Sequence, residues 1–370
     1  MKKEKVLFIG MTNNIGGIEK YLINVYRNIN KEKFDTKFLV FSNSRPCFYE
    51  EIKNDLIYIT HRRENYFKFL KELKKIYLDN HFSIIHVNIV DFSCFEVITF
   101  AKKYTNAKVI IHSHIAQFKL PSLKTKILNY IGLNMVKKYD DTLVKTACST
   151  VAGQYMFKSF KNKKFTVLNN GVNIEEFKYN EKSRNKIRKE LGIDNNTILL
   201  GNVGRMVYQK NQEYLLEIMK KLDNNYKLLI IGKGPLKNDL LNKTKEYGLE
   251  DNIIYLQDIS NVYDYLSAMD IFLLPSHFEG LAICLVEAQA SGLRCVAAKQ
   301  IKAEEINISK NITYVSLDDL EKWLDTIKRI DYKNRSVSLE EFRTNYGIEN
   351  TVKYLEEFYT RVIGDDKSDE

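Results

Sequence analysis

The stretch 271-IFLLPSHFEGLAICLVEAQASGLRCVAAK-299 decides how this chain folds. An apolar run stops at Pro275, Gly280 marks a turn, a helical segment runs from Leu281 to a break at Gly292, and a β-rich run resumes at Arg294. A strand that returns to its own sheet through a helix pairs in parallel, because the crossover carries the chain back to the end where it began. Two carboxylates lie inside this unit, Glu279 in the turn and Glu287 on the helix. Glu279 falls at the carboxyl edge of the sheet, where such folds bind ligands. Glu287, about two turns into a helix that starts at Leu281, is within reach of the same place.

The same alternation runs through the whole chain. β-rich runs occur at 5-KVLFIG-10, 36-TKFLVFS-42, 84-IIHVN-88, 108-KVIIHSH-114, 143-LVKTACS-149 and 165-FTVLNN-170. A second series follows at 197-TILLGNVGR-205, 226-YKLLIIGKG-234, 252-NIIYLQD-258, 271-IFLLPS-276, 294-RCVAAK-299 and 312-ITYVS-316. Strands alternating with helices predict an α/β protein of two doubly wound, Rossmann-like parallel-sheet domains facing a central cleft. The polar stretch 171-GVNIEEFKYNEKSRNKIRKELGIDNN-196 carries no strand signal and sets the hinge near 172–180. The expected division is therefore 1–175, 176–350 and a final segment 351–370. In that segment a helix crosses back to the N-terminal domain and the acidic DDKSDE tail reads as disordered.

A length of 370 residues exceeds what one core serves, and 44% hydrophobic with 28% charged residues is a globular composition. Cys47, Cys94, Cys148, Cys284 and Cys295 form no CxxC pair or regular spacing, which argues against a disulfide framework or zinc site and for a reducing cytoplasm. No apolar run approaches the roughly 18 residues of a membrane span, and MKKEKVLFIG enters a strand without a leader-like apolar region. Residues 1–170 carry 29 Lys and Arg against 14 Asp and Glu, so the first half should face something anionic.

Four further motifs sit at strand ends. In 10-GMTNNIGGIEKYLINVY-26, Gly16 and Gly17 let backbone N–H groups approach a ligand, and the helix beginning near Ile18 turns its positive end to an anion. The stretch does not match GxGxxG, so no dinucleotide fingerprint is supported, and a plain flexible turn is the bland alternative. In 201-GNVGRMVYQKN-211, Arg205 and Lys210 follow Gly204 and could clamp a diphosphate, or be two solvated cations. Gly232 and Gly234 in 231-IGKGP-235 suit close approach of a flat ring or phosphate, or an ordinary tight turn. In 112-HSH-114, strand alternation puts His112 and His114 on one face, as metal ligands, a functional imidazole or structural histidines. The absence of a nearby acidic residue or obvious third ligand argues against a metal. Glu279 and Glu287 could be an acid/base pair or two exposed glutamates, but glycoside hydrolysis usually draws its carboxylates from separate strands. The Arg205 and Lys210 pair points instead to a phosphorylated leaving group.

Together these segments resemble the retaining GT-B glycosyltransferases of family 4, the glycosyl transferases group 1 proteins, which include bacterial capsular and exopolysaccharide enzymes. The resemblance spans nearly the whole chain: GGIEKYLINVYRNI, HSH, 168-LNNGVNIEEF-177, GNVGR with Lys210, IGKGPL, and PSHFEGLAICLVEAQASG, whose Glu279 and Glu287 form the E-x7-E motif. Ala282 stands where many members have Pro, Arg294 where SGLP is usual, and Gln257-Asp258 where a Gly commonly ends the strand, so sugar preference stays open.

The resemblance implies transfer of a hexose or N-acetylhexosamine, with retention, from a nucleotide-diphosphate sugar such as a UDP-sugar to a lipid-linked glycan acceptor in surface polysaccharide biosynthesis. It implies that Glu287 holds the ribose, and that Arg205 and Lys210 neutralise the diphosphate in place of a metal. Glu279 would contact the sugar, with backbone N–H groups of Gly280, Leu281 and Ala282 close by. Gly204, Gly232 and Gly234 would border the donor, Gly16 and Gly17 would close on its phosphates, and His114, with His112 in reserve, would be the active-site histidine. No cofactor or metal is expected.

Segments 64–80 and 121–140, with Lys68, Lys71, Lys74, Lys75, Lys124, Lys126, Lys137 and Lys138, read as basic amphipathic faces for peripheral contact with the anionic inner face of the cell membrane, or as ordinary packing helices. Two other readings are a nucleotide-sugar epimerase and a basic nucleic-acid or membrane-binding module. Since no helix-turn-helix, zinc-finger or RRM signature is present, no nucleic-acid partner is expected.

Overall fold

The computed structural model describes residues 3–116 and 122–364. Two α/β units result: residues up to Gly171 together with those from Ile348 on, and Val172–Gly347. Both divisions fall slightly before the expected positions at 175 and 350. The acidic tail and Pro121 lie outside the described residues.

The first unit holds β1 (Glu4–Ile9), β2 (Phe34–Phe41), β3 (Leu56–Ile59), β4 (Ile84–Ile89), β5 (Lys108–Ser113), β6 (Val144–Ala147) and β7 (Thr166–Val167). They form one parallel sheet in the order β3-β2-β1-β4-β5-β6-β7. Alternation along the strands separates two cores. Leu7, Ile85 and Ile111 pack with Phe69, Leu73 and Tyr77 of the helix Tyr66–Asn80. On the other face, Val6, Phe8 and Ile110 pack with Tyr21, Leu22 and Val25 of the helix Gly17–Asn28, and with Val352, Leu355, Tyr359 and Val362 of the helix Ile348–Gly364. That spacing of three and four residues lays one stripe of the last helix on the sheet. Strand β3 is absent from the expected set because this four-residue edge strand pairs only with β2 and buries only Ile59.

The second unit holds β8 (Ile198–Val203), β9 (Tyr226–Ile231), β10 (Ile253–Leu256), β11 (Ile271–Leu274), β12 (Arg294–Ala298) and β13 (Ile312–Val315), parallel in the order β10-β9-β8-β11-β12-β13. All six are the expected strands. Val172 donates its N–H to the Tyr346 carbonyl at 2.8 Å and pairs in an isolated parallel bridge with Gly347, so this unit's two chain ends lie side by side. In both units the strand order reverses at one place, between β1 and β4 and between β8 and β11. Loops leaving the carboxyl ends of those strands diverge there and leave room for a ligand. Among the described residues no helix is long and apolar enough to cross a membrane.

Candidate active site

In the second unit the loops after β8 and β11 meet at the reversal point and are knitted together. Asn211 donates through Nδ2 to the Pro275 carbonyl at 3.1 Å, and the His277 N–H donates to the Gln209 carbonyl at 2.9 Å. Asn211 can make this turn because it adopts the left-handed conformation, φ 53°, which asparagine tolerates better than most side chains. The rings of Tyr208 and His277, one from each loop, stack at 4.4 Å.

This frame places Lys210 Nζ 2.7 Å from Glu279 Oε1, in a pair whose side chains are only 16% and 7% exposed. Gln209 donates to the other carboxylate oxygen, Oε2, at 3.3 Å, and to the Phe278 carbonyl at 3.0 Å. Burial pulls the Lys210 ammonium down, but the charge and hydrogen bond of the Glu279 carboxylate, with Cys284 beside it, outweigh burial and hold its pKa above the ordinary lysine value. Lys210 and Glu279 are therefore partners of one another, a contact the separate roles assigned from sequence do not foresee. An ammonium has three N–H donors, so the bond to Glu279 leaves two for a phosphate. Arg205 is exposed, has no ion-pair partner among the described residues, and lies close enough that its charge opposes protonation of Lys210.

The helix carrying Glu287 spans Ile283–Ala290 and starts two residues later than expected, so Glu287 sits little more than one turn in, on the same face as Cys284. Burial pushes the Cys284 thiol up to about 12, and it lies within electrostatic reach of Lys210, Glu279 and Glu287, which ties all four to one neighbourhood. Gly280, Leu281 and Ala282 form the backbone leading into this helix.

The glycines divide by what fills the space beside them. A Cβ at Gly204 would meet the Lys210 stem at 3.2 Å, so this glycine makes room for the catalytic candidate itself. At Gly232, with φ 153°, a Cβ would lie 2.0 Å from the Gly204 carbonyl oxygen, and at Gly234 one would lie 2.3 Å from that of Met206. Close packing of protein backbone is thus sufficient reason for glycine at 232 and 234.

In the first unit Gly16 caps the helix Gly17–Asn28, and a Cβ at Gly17 would meet nothing within 4 Å, whereas one at Gly16 would meet the Glu19 carboxylate at 2.8 Å. Glu19 is buried in the first turn and accepts from Thr12 Oγ1 at 2.6 Å. Its negative charge already sits at the positive helix end that the sequence reading reserves for an incoming anion. His112 and His114 share a face, as expected, with rings stacked at 4.2 Å. The buried His86, which has no counterpart in the sequence motifs, continues the stack at 5.2 Å from His112. Its Nδ1 meets the Tyr359 hydroxyl at 2.6 Å and its Nε2 meets His112 Nδ1 at 3.1 Å. Burial holds His86 and His114 down to about 3, and His112 well below the usual histidine range. Among the described residues no group of three His, Cys, Asp or Glu is arranged to hold a metal ion.

Sequence reasoning does not reach Gln209, Asn211, Asn88, Tyr21, His86 or Tyr359. The one local signal is Asn211 immediately after Lys210, a residue suited to a left-handed turn.

Two doubly wound parallel-sheet units, with a paired lysine and glutamate at the reversal of the second sheet, make up the GT-B architecture. Residues 15–176 match the Glycosyltransferase Family 4 domain and residues 183–331 the domain described as Glycosyl transferases group 1; the chain belongs to this family of enzymes, the family 4, group 1 glycosyltransferases. Among relatives, it is 23% identical over 368 residues to the capsular polysaccharide biosynthesis glycosyltransferase CapH of Staphylococcus aureus, covering 96% of this chain and 98% of that one. It is 29% identical over 175 residues, 45% of each chain, to the UDP-Gal:alpha-D-GlcNAc-diphosphoundecaprenol alpha-1,3-galactosyltransferase of Escherichia coli. The solved structure of Anabaena HepE in complex with UDP and glucose superposes with a TM-score of 0.78 at 18% identity, over 97% of this chain and all of that one. The matched domains give no support to an epimerase.

Proposed function

We propose that the enzyme transfers a hexose or N-acetylhexosamine from a UDP-sugar to a lipid-linked saccharide during surface polysaccharide assembly, with retention at the anomeric carbon and without a metal ion. The observation that carries this reading is the Lys210–Glu279 pair, with Arg205 and Glu287 in its neighbourhood, at the reversal point of the second sheet. Glu287 accepts hydrogen bonds from the ribose hydroxyls. Arg205 and the two remaining Lys210 donors face the diphosphate, while Glu279, with spare lone pairs on both oxygens, accepts from hydroxyls of the transferred sugar. Backbone N–H groups at Gly280, Leu281 and Ala282 add donors near the same charge. In the first unit His114 takes the part implied by the family, while the helix end at Gly16 and Gly17 already carries the Glu19 carboxylate.

As the bond from the anomeric carbon to the phosphate oxygen breaks, negative charge grows on the phosphate where fixed cations are already aimed, which lowers the barrier. The acceptor hydroxyl oxygen bonds to the anomeric carbon on the departing face, and its proton passes to the leaving phosphate oxygen. UDP and a lipid-linked saccharide one sugar longer are the products. The names of the S. aureus and E. coli relatives, and the UDP bound in the Anabaena structure, support polysaccharide synthesis, a lipid-linked acceptor and a UDP donor.

Incubation with UDP-hexoses and a polyprenyl-diphosphate saccharide, read by mass spectrometry, tests the proposal. A product one sugar heavier, lost in Glu287→Ala, is expected. An epimerised UDP-sugar without acceptor, or full activity in Glu287→Ala, refutes it.

Peripheral contact of the first unit with the anionic inner face of the cell membrane fits the same acceptor. On the helix Leu123–Val136, Leu123, Ile127, Tyr130 and Ile131 are all exposed on one arc, and the exposed Lys124 and Lys126 border it on either side. Apolar side chains flanked by long cations suit a headgroup interface. By contrast, Phe69, Leu73 and Tyr77 of the helix Tyr66–Asn80 pack inward. Flotation with phosphatidylglycerol vesicles should be lost in Ile127→Glu, and a wild-type chain that never floats would overturn this part.

A further inference from the structure

We infer that Asn88 is a positioning residue that fixes the tautomer of His114, leaving the Nδ1 lone pair of that imidazole to accept a hydrogen bond from a saccharide hydroxyl. The inference rests on the reading of His114 as the active-site histidine.

Asn88 lies near the end of β4 and faces His112 across the pairing with β5. Its Nδ2 donates to the Ile9 carbonyl at 3.2 Å and to the His86 carbonyl at 3.4 Å. Turning the amide over would set its oxygen against those two carbonyls, with no proton between them, so one orientation is forced. The loop after β1 closes tightly enough to hold it. A Cβ at Gly10, where φ is 133°, would lie 2.9 Å from that of Asn88.

With Nδ2 engaged, the amide oxygen faces His114 Nε2 at 2.8 Å. An amide oxygen can only accept, so Nε2 carries the hydrogen. A neutral imidazole has one N–H, which leaves Nδ1 bare. Burial holds His114 in the neutral form well below pH 6, so no second proton competes for that site.

Nδ1 is itself buried and has no partner among the described residues. A buried acceptor left unpaired is costly, and a hydroxyl hydrogen removes the cost. An ionised diphosphate has no proton to offer and would be repelled by the lone pair. The geometry therefore selects a saccharide hydroxyl and not the leaving group. The stacked ring of His112 at 4.2 Å and the Tyr21 ring at 5.3 Å hold the imidazole plane that aims the lone pair.

The full chain labelled with 15N-histidine, studied by long-range proton–nitrogen correlation, reads the tautomer without any transfer assay. His114 should show a protonated Nε2 and a bare Nδ1, unchanged from pH 6 to 8, and Asn88→Leu should release it into a mixture. Transfer by Asn88→Leu should fall roughly 10- to 100-fold in kcat/KM, by analogy with the loss of a hydrogen-bond partner that orients a metal-bound histidine. A protonated Nδ1 in the unsubstituted chain, or an unchanged tautomer in Asn88→Leu, overturns the inference. A changed tautomer with unchanged transfer supports the role of Asn88 but refutes the active-site reading of His114. Should Asn88→Leu not fold, His114→Asn and His114→Gln decide, because an asparagine amide reaches the Nδ1 position and a glutamine amide reaches Nε2. Greater residual transfer in His114→Asn supports Nδ1 as the working atom, and the reverse order overturns it.

Discussion

Replacing Lys210 with methionine keeps the stem that packs on Gly204 and removes only the charge. It strands Glu279, whose side chain is 7% exposed, with Gln209 as its remaining side-chain donor. Removing one partner of a buried pair costs about 3–5 kcal/mol. The Gln209 bond and the 16% exposure at Lys210 argue for the lower end, about 3 kcal/mol. For a unit of this size that is a melting point lower by about 6–12 °C. Lys210→Met with Glu279→Gln removes both charges together and should recover most of that loss. The double variant should still transfer at least ~100-fold more slowly, the scale of losing a donor aimed at developing charge. Thermal melts and a transfer assay on the four proteins of the cycle separate the two effects. Because the folded-state pKa of Lys210 is raised, the lysine's contribution should be fully present at neutral pH and fade only as pH climbs past the ordinary lysine value and through the raised one. A Lys210→Met protein that melts like the parent, or a double variant that transfers normally, refutes the reasoning.

Arg205→Ala removes an exposed guanidinium and should leave stability within about 0.5 kcal/mol while lowering transfer; a large fall in melting point would mean that Arg205 is structural. Gly232→Ala drives a Cβ to 2.0 Å from the Gly204 carbonyl oxygen at a φ that alanine avoids, so urea unfolding should show a loss of at least about 2 kcal/mol, and a neutral result would refute the packing account. His86, His112 and His114 are held neutral in the fold but take up protons once unfolded. Stability should therefore drop as pH falls below about 6.5, by about 1.4 kcal/mol per pH unit for each histidine. An unfolding midpoint that is flat from pH 7 to 5 would count against their burial.

What the sequence discloses is mostly local. Each buried parallel strand is an apolar run in its own right, and the turns after β8, β9 and β11 carry Gly204, Gly232, Gly234 and Gly280 in plain view. The edge strand β3 escapes because it buries one residue, and a run of four cannot declare a period. The site's inner bonds escape for another reason. Lys210 and Glu279 are 69 residues apart, His114 and Asn88 are 26 apart, and His86 and Tyr359 are 273 apart. Such pairs become neighbours only through strand order, which no short window of sequence holds. Glu19 is the reverse case. It stands in the GGIEK motif, but only burial shows that its charge is turned towards the helix end.

The helix Ile348–Gly364 closes the core that begins with β1, after the chain has left for the second unit and returned beside Val172. On a ribosome, Val6 and Phe8 emerge first yet wait for Val352, Leu355 and Tyr359 before one side of their sheet is sealed. The second unit, continuous in sequence, can complete its own core before then. The part made first is thus the last to be finished, and a nascent chain paused short of Ile348 would present an open apolar face to whatever chaperone attends it.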